Sequence, residues 1–318
     1  MSNLKLMIKK WMEAASMDFD QLPNFFIIGA AKSGTTTLFD VVAQHPAVYA
    51  AQIKEIRFFS KDDRFTNGAD WYMQTHFPRA KGFSVRTEAT PAYLTWSQKV
   101  APRVKALYGD QPVKFAAIFR DPVKRAYSHY WHRVRQGDED PQRLSFADAI
   151  HIEDQRLKEN WQRLEVEGNG LYGYFRAGCY ASRLKPYLDL FPRENFHLML
   201  QEDLYQNFDT SMVKLLRFLG IDDQYPLKPV VSNESAVPRD RNIYGLYKEL
   251  KKTRIKNVLK LFIPLKMRKW FGEDVLTKPF DYPPMEQEIK MELYMRYTDE
   301  IKQLESIIGR DLSHWKNE

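Results

Sequence analysis

The chain has 318 residues, of which 44% are hydrophobic and 14% aromatic, and its 48 Lys and Arg against 41 Asp and Glu leave a formal net charge of +7. With no repeat, low-complexity tract or Gly/Ser linker, this composition favours one large globular domain and excludes fibrous and disordered classes. A single cysteine, Cys179, excludes a disulfide framework and a Cys-based zinc site. The positive excess suits an anionic ligand, an anionic acceptor or a membrane surface. The basic residues are dispersed and the aromatics read as core, which argues against nucleic acid.

Residues 1–21 read as an amphipathic extension to a domain over 22–318. Leu4, Met7, Ile8 and Trp11 recur at helical spacing with Lys5, Lys9 and Lys10 between them. Such a segment packs on its own domain or lies in a membrane interface. It lacks the apolar core of a signal peptide, and no run reaches the length of a membrane span, so a cytoplasmic location is expected.

Beyond it, short apolar runs alternate with long amphipathic stretches, the pattern of βαβ units around a parallel sheet flanked by helices. Strands are expected at Asn24–Ile28, Phe83–Thr87, Val113–Phe119 and Phe196–Leu200. Each is continuously apolar, as strands covered on both faces tend to be. Helices are expected at Thr35–Gln44, Ser97–Leu107, Pro122–Gln136, Ser145–Glu165, Gly178–Leu190, Ser211–Leu219 and Met285–Ile308. The last carries Ile289, Leu293, Tyr297, Ile301, Leu304 and Ile308 at three- and four-residue steps. In such a sheet, ligands bind beyond the carboxyl ends of the strands. The segments after Ile28, Thr87 and Phe119 are therefore expected to converge.

The first of these is Gly29-Ala30-Ala31-Lys32-Ser33-Gly34-Thr35-Thr36-Thr37. A strand, a glycine turn and a Thr-rich helix start together form an anion cradle, with backbone N–H groups, hydroxyls and one lysine facing a phosphate-like group. Gly29 and Gly34 have nucleotide P-loop spacing, but Thr35 stands where that motif has its lysine, which here has moved into the loop at Lys32. The displacement argues against ATP. The second segment is Lys54-Glu55-Ile56-Arg57-Phe58-Phe59, and the third is Phe119-Arg120-Asp121-Pro122 running into Arg125, Tyr127 and Ser128. An arginine at a strand end and a serine in the following helix can grip one phosphate from two sides.

Together with Trp71-Tyr72, Thr90-Pro91-Ala92-Tyr93 and Phe218-Leu219, these motifs resemble the sulfotransferases that use 3′-phosphoadenosine 5′-phosphosulfate (PAPS). The likeness is to the carbohydrate branch, including the heparan sulfate N- and 3-O-sulfotransferases and bacterial relatives. It runs from about Phe25 to Leu219, and Gly309 to Trp315 looks like bacterial members. The resemblance implies a P-loop-like sulfotransferase architecture. It implies that Lys32 reaches the bridging oxygen of the phosphosulfate while Ser33, Gly34, Thr35, Thr36 and Thr37 hold the 5′-phosphate. By the same likeness Arg120 and Ser128 bind the 3′-phosphate, Glu55 is the general base, and Arg57 stands where relatives often have histidine. Pro238-Arg239-Asp240-Arg241 resembles a late basic loop over the 3′-phosphate, contributed by Arg239 and Arg241. One departure is that relatives carry a lysine after the glutamate of the next strand, where this chain has Glu88-Ala89.

The chemistry so implied is in-line transfer of a sulfuryl group to an acceptor hydroxyl on a carbohydrate, glycolipid or small alcohol, releasing adenosine 3′,5′-bisphosphate (PAP). Lys32 would meet charge developing on the leaving oxygen. No metal is expected, since the sulfuryl group carries less charge than a γ-phosphoryl group. Other readings stay open. Glu88 is a second candidate for the base, or a group that orients Lys32 or the acceptor. Arg120 could pair with Asp121 and merely close the strand, His129 and His132 read as helix-face histidines, and Tyr172, Tyr174 and Tyr180 read as core or as a cleft lining. An ATP-dependent P-loop kinase and a non-catalytic nucleotide- or glycan-binding module are the rival classes. The basic, apolar-interleaved segment Tyr244–Phe271 reads as a solvated helix pair or as a membrane-surface contact.

Overall fold

The computed structural model describes residues 18–160, 172–230, 236–238, 277–279 and 282–316. The extension at 1–17, the end of the helix expected at Ser145–Glu165, Arg239, Arg241 and Tyr244–Phe271 lie outside them.

Five parallel strands form the central sheet in the order β2-β3-β1-β4-β5: β1 Phe25–Gly29, β2 Val48–Ala50, β3 Val85–Ala89, β4 Lys114–Phe119 and β5 Phe196–Leu200. The apolar runs of β1 and β4 have a direct cause, because both faces of the sheet are covered, while β3 buries Arg86, Thr87 and Glu88. Alternate residues of one strand point to opposite faces. Phe26 and Ile28 of β1, with Phe115, Ala117 and Phe119 of β4, enter one core cluster, while Phe25, Ile27, Ala116 and Ile118 enter the other. The second cluster is closed by Leu38, Val41 and Val42 of α1 (Thr35–Val42) and by the Met212–Leu219 face of a helix at Phe208–Leu219. The first is larger and holds most of the buried aromatics. It is closed by helices α2 (Gly68–His76), α3 (Ser97–Tyr108), α4 (Pro122–Gln136), α5 (Tyr180–Leu188) and α6 (Gln287–Ile308). The apolar stripe of α6 is buried through Ile289, Leu293, Tyr297, Ile301 and Leu304, as its spacing requires.

Four differences from the sequence reading have physical causes. The edge strand β2 is only three residues long and leaves almost no periodic signal. The helix expected from Ser145 is two, Phe146–His151 and Glu153–Glu159, broken at Ile152. There the Glu153 carboxylate turns inward and accepts from the backbone N–H groups of Phe175 at 2.6 Å and Arg176 at 2.9 Å. The third strand ends at Ala89 rather than Thr87, which puts Glu88 inside the sheet. A short antiparallel pair, β6 (Ala236–Pro238) with β7 (Thr277–Pro279), has no counterpart among the expected strands, because three residues carry too little alternation to read.

Strand β1 lies between β3 and β4, so the chain crosses the sheet in both directions from it. That makes its carboxyl end a topological switch point, the crevice where such sheets bind ligands. Among the described residues, no helix is long and apolar enough to cross a membrane.

Candidate active site

At the end of β1 the chain turns tightly and enters α1. A Cβ on Gly29 would lie 2.6 Å from the Leu94 Cβ, so only glycine fits there. Gly34, the N-cap of α1, has φ of 103°, a left-handed conformation that favours glycine. No side chain caps this helix end. Among the described residues, the N–H groups of Lys32, Gly34, Thr35 and Thr36 meet no acceptor. Ser33 is fully buried and its hydroxyl has no hydrogen-bond partner among the described residues. Unmet donors at a helix N-terminus form an anion site, and a buried orphan hydroxyl beside them is otherwise costly. The Thr37 hydroxyl lies 3.4 Å from that of Tyr205, a mostly exposed ring beside Gly34.

Lys32 pairs with no carboxylate among the described residues. Burial first, then the charges of Arg135, Arg120, Arg133 and Lys54, push its pKa down to about 8. A half-buried lysine among four cations is unfavourable in isolation and favourable once a multiply charged anion is present. Arg120, at the end of β4, donates to the Lys32 carbonyl at 3.4 Å, and burial lowers its pKa too. It does not spend itself on Asp121. That carboxylate caps α4, accepting from the N–H groups of Val123 at 2.8 Å and Lys124 at 3.3 Å, and takes the Tyr294 hydroxyl at 2.6 Å on its other oxygen. Such a cap stabilises a helix by about 1 kcal/mol. Pro122 at the first helical position fits the same end, and together they set the course of α4. Ser128 is then carried, buried, two turns along it.

The Lys54–Arg57 segment is stitched to the carboxyl end of β3. The Glu55 N–H donates to the Ala89 carbonyl at 3.0 Å, and the Arg57 N–H to the Thr90 hydroxyl at 3.4 Å. Glu55 and Arg57 both adopt left-handed backbone, with φ of 61° and 57°. The Glu55 carboxylate is held by Arg57 at 2.8 Å and neighbours Lys54 at 3.7 Å, with 38% of its side chain exposed. Burial works against its ionisation, but the Arg57 hydrogen bond and the charges of Lys54 and Arg57 outweigh it and hold the carboxyl below its usual range.

Glu88 is placed quite differently. It is fully buried, and its oxygens accept from Tyr72, from Tyr93 at 2.7 Å and from Thr90 at 3.1 Å. Burial pushes its pKa up to about 7, against the pull of those three hydroxyls. It makes no hydrogen bond to Lys32.

The structure thus brings Lys32, the N–H donors at the start of α1, Arg120 and Lys54 to one rim, with Glu55 beside Lys54 on its β3 side, while Ser128 lies buried on α4. Tyr174 and Tyr180 are core residues, and the Tyr180 hydroxyl supports the Arg120 carbonyl at 2.9 Å. Tyr172 lies under the Arg156 guanidinium, 3.8 Å from its ring centroid. Sequence reasoning missed Arg133 and Arg135, whose charges reach Lys32 from the last turn of α4. His129, read from the sequence as a helix-face histidine, lies on the buried face of α4. Burial, then the charges of Arg125, Arg133, His132 and Lys32, push its pKa well down. The stripe Arg125, His129, Arg133 at four-residue steps was the available signal.

Comparison with known proteins bears on the family and the fold. The family model described as sulfotransferase domain matches residues 22–244. Over 179 residues the chain is 31% identical to heparan sulfate glucosamine 3-O-sulfotransferase 5 of Mus musculus, covering 56% of this chain and 48% of that protein. Over 210 residues it is 28% identical to bifunctional heparan sulfate N-deacetylase/N-sulfotransferase 2 of Homo sapiens, covering 64% of this chain and 22% of that one. The chain therefore spans about half, or less, of the length of these relatives. Among solved structures, a sulfotransferase from Alicyclobacillus acidocaldarius superimposes with a TM-score of 0.64 at 27% identity, over 93% of this chain and 99% of that one.

Proposed function

The chain belongs to the sulfotransferase domain family, and on that premise we propose that it moves a sulfuryl group from PAPS to a hydroxyl of an acceptor, with Glu55 as general base. The observation that carries this is Lys32. It is half-buried, without a carboxylate partner among the described residues, and ringed by cations at a helix start with unmet N–H donors. That environment fits a donor bearing phosphates at both ends, and the unpartnered Ser33 hydroxyl fits an oxygen acceptor.

When bound, the donor supplies a sulfuryl group on a phosphate leaving group. Lys32 and the N–H groups of Gly34 to Thr36 meet the negative charge that grows on the leaving oxygen, in a site where water is largely excluded. Arg120 and Ser128 hold the far phosphate and fix the register of the donor. Glu55 accepts the proton of the acceptor hydroxyl. Its low pKa keeps it ionised and ready at neutral pH, and its partial exposure leaves it reachable from outside. Glu88 is the weaker choice of base, since its oxygens already hold three hydroxyls inside the core. For the acceptor, carbohydrate stands first, because the relatives are named for heparan sulfate. Glycolipid and small alcohol follow.

The test has two parts. Calorimetry should show PAP bound far more tightly than ATP, and a preference for ATP would overturn the donor assignment. Mass spectrometry with PAPS across saccharide, glycolipid and alcohol panels should show the mass gain of one sulfuryl group on a single class. Gains only on alcohols would overturn the carbohydrate preference.

A further inference from the structure

A carboxylate sealed among aromatic rings is expensive, and an apolar residue of similar size fits such a place at lower cost. Glu88 is fully buried, and among the described residues no ammonium or guanidinium bonds to it. What it does hold is Thr90, and Thr90 leads to the rim. The Thr90 hydroxyl donates to Glu88 Oε2 at 3.1 Å, and the same oxygen accepts the Arg57 N–H at 3.4 Å. The Arg57 guanidinium then holds Glu55 Oε2 at 2.8 Å.

We propose that Glu88 is a positioning residue, which through Thr90 fixes the backbone of Arg57 and so aims the guanidinium that clamps Glu55. The idea rests on the reading of Glu55 as the base. Two facts call for such a device. Glu55 and Arg57 both have left-handed backbone, a conformation that costs a non-glycine residue on the order of 1 kcal/mol or more. Their loop is pinned at two backbone donors, Glu55 to Ala89 and Arg57 to Thr90, and both acceptors lie just after Glu88 in sequence. The charge matters because a hydroxyl has one proton. Ionised Glu88 can only accept, so it fixes the Thr90 hydroxyl as its donor and turns that oxygen to accept from Arg57. A protonated or amidated Glu88 also offers a donor, so the direction of the Thr90 hydrogen bond, and with it the oxygen's orientation toward Arg57, is no longer fixed.

The groups that face Glu88 are Tyr72 of α2, Tyr93 of the short helix Ala92–Thr95, Tyr108 of α3, Tyr187 of α5 and Arg64 of the turn Asp62–Phe65. All four tyrosines have pKa values raised by burial and by Glu88 itself, so none of them ionises before it.

The test uses the full chain with 13C-labelled glutamate carboxyls, titrated by NMR, with Glu55→Gln and Glu88→Gln spectra assigning the two signals. Thr90→Val is expected to raise the Glu55 midpoint toward the ordinary carboxylate value, and Thr90→Ser to restore it. Tyr187→Phe, which removes a buried hydroxyl bonded to the Tyr93 carbonyl at 3.1 Å, is expected to leave Glu55 unmoved. Thr90→Ala makes the same cut by a second route should the valine variant not fold. A Glu55 midpoint unchanged in the folded Thr90 variants overturns the proposal, as does an equal change in Tyr187→Phe. Turnover gives the second readout: Thr90→Val should lower kcat by about tenfold or more through misplacement of the base, with PAP affinity unchanged. Undiminished PAPS turnover in Glu55→Gln, with a heparan sulfate oligosaccharide as probe, would overturn the base assignment alone and leave the NMR result standing.

Discussion

The rim around Lys32 and the floor around Glu88 lie at neighbouring strand ends and treat charge in opposite ways. On the rim, a lysine is half-buried among like charges, and among the described residues backbone donors meet no acceptor and a serine hydroxyl has no partner. On the floor, a carboxylate is enclosed by donors, with Tyr72, Tyr93 and Thr90 all directed at it. Both groups have strongly shifted pKa values, and the shift alone does not separate them. The separation comes from the partners. The rim is a set of half-made interactions that an anion completes, whereas the floor is complete and acts only through what it holds. An unmet buried polar group is costly, so it persists where a ligand later meets it.

The comparison breaks most decisively at Glu55, where the two regions meet. Glu55→Gln is expected to lower turnover about 10²–10⁴-fold, the usual contribution of a positioned base, while calorimetry finds PAP binding unchanged. Next is Lys32→Ala, expected to lose about 10²–10³-fold in turnover, as when one donor to a developing charge is removed. A rate near wild type would show that the half-made rim does not act on the leaving group.

A smaller effect sharpens the rim alone. Lys32 loses its proton above about pH 8 in the free protein, and a bound anion restores it. PAP binding near that pH should therefore take up a proton, seen by calorimetry in buffers of different ionisation enthalpy, and affinity should fall as pH rises from 8. An affinity flat from pH 7 to about 9.5 would contradict the lowered pKa.

The floor is sharpened by stability. The folded pKa of Glu88, about 7, lies above its unfolded value, so the native state binds the proton more readily. Its contribution is fully present below the unfolded value of about 4.3 and is lost as pH rises through 7, to a total of up to about 4 kcal/mol. Glu88→Gln should lack that decline, so the stability difference between wild type and variant should change between about pH 4.5 and 8 in urea melts. A constant difference would mean that the carboxylate does not titrate in the fold.

Much of the rim is legible in the chain itself. Gly29, Gly34, Lys32 and the run of hydroxyls declare an anion cradle because close backbone approach and left-handed turns need glycine, and because clustered donors need an acceptor. The parallel sheet is legible because strands covered on both faces are continuously apolar, and α6 because its apolar stripe keeps a helical period. These are local rules, written in neighbouring residues. The placement of Glu88 is not legible, since a glutamate one residue past an apolar run reads as a strand end. Only the tertiary structure brings the Tyr72 and Tyr93 hydroxyls to it as buried donors. Nor is the role of Asp121, whose two oxygens are divided between the start of α4 and a tyrosine from the last helix. Arg133 and Arg135 likewise become part of the site only because α4, leaving β4 at its Asp121 cap, carries its last turn back within reach of Lys32. The sequence by itself determined the cradle, the sheet and the class of anion it expects. Which carboxylate faces outward and which is enclosed was decided by tertiary structure alone, because burial and partnership come from residues far apart in the chain.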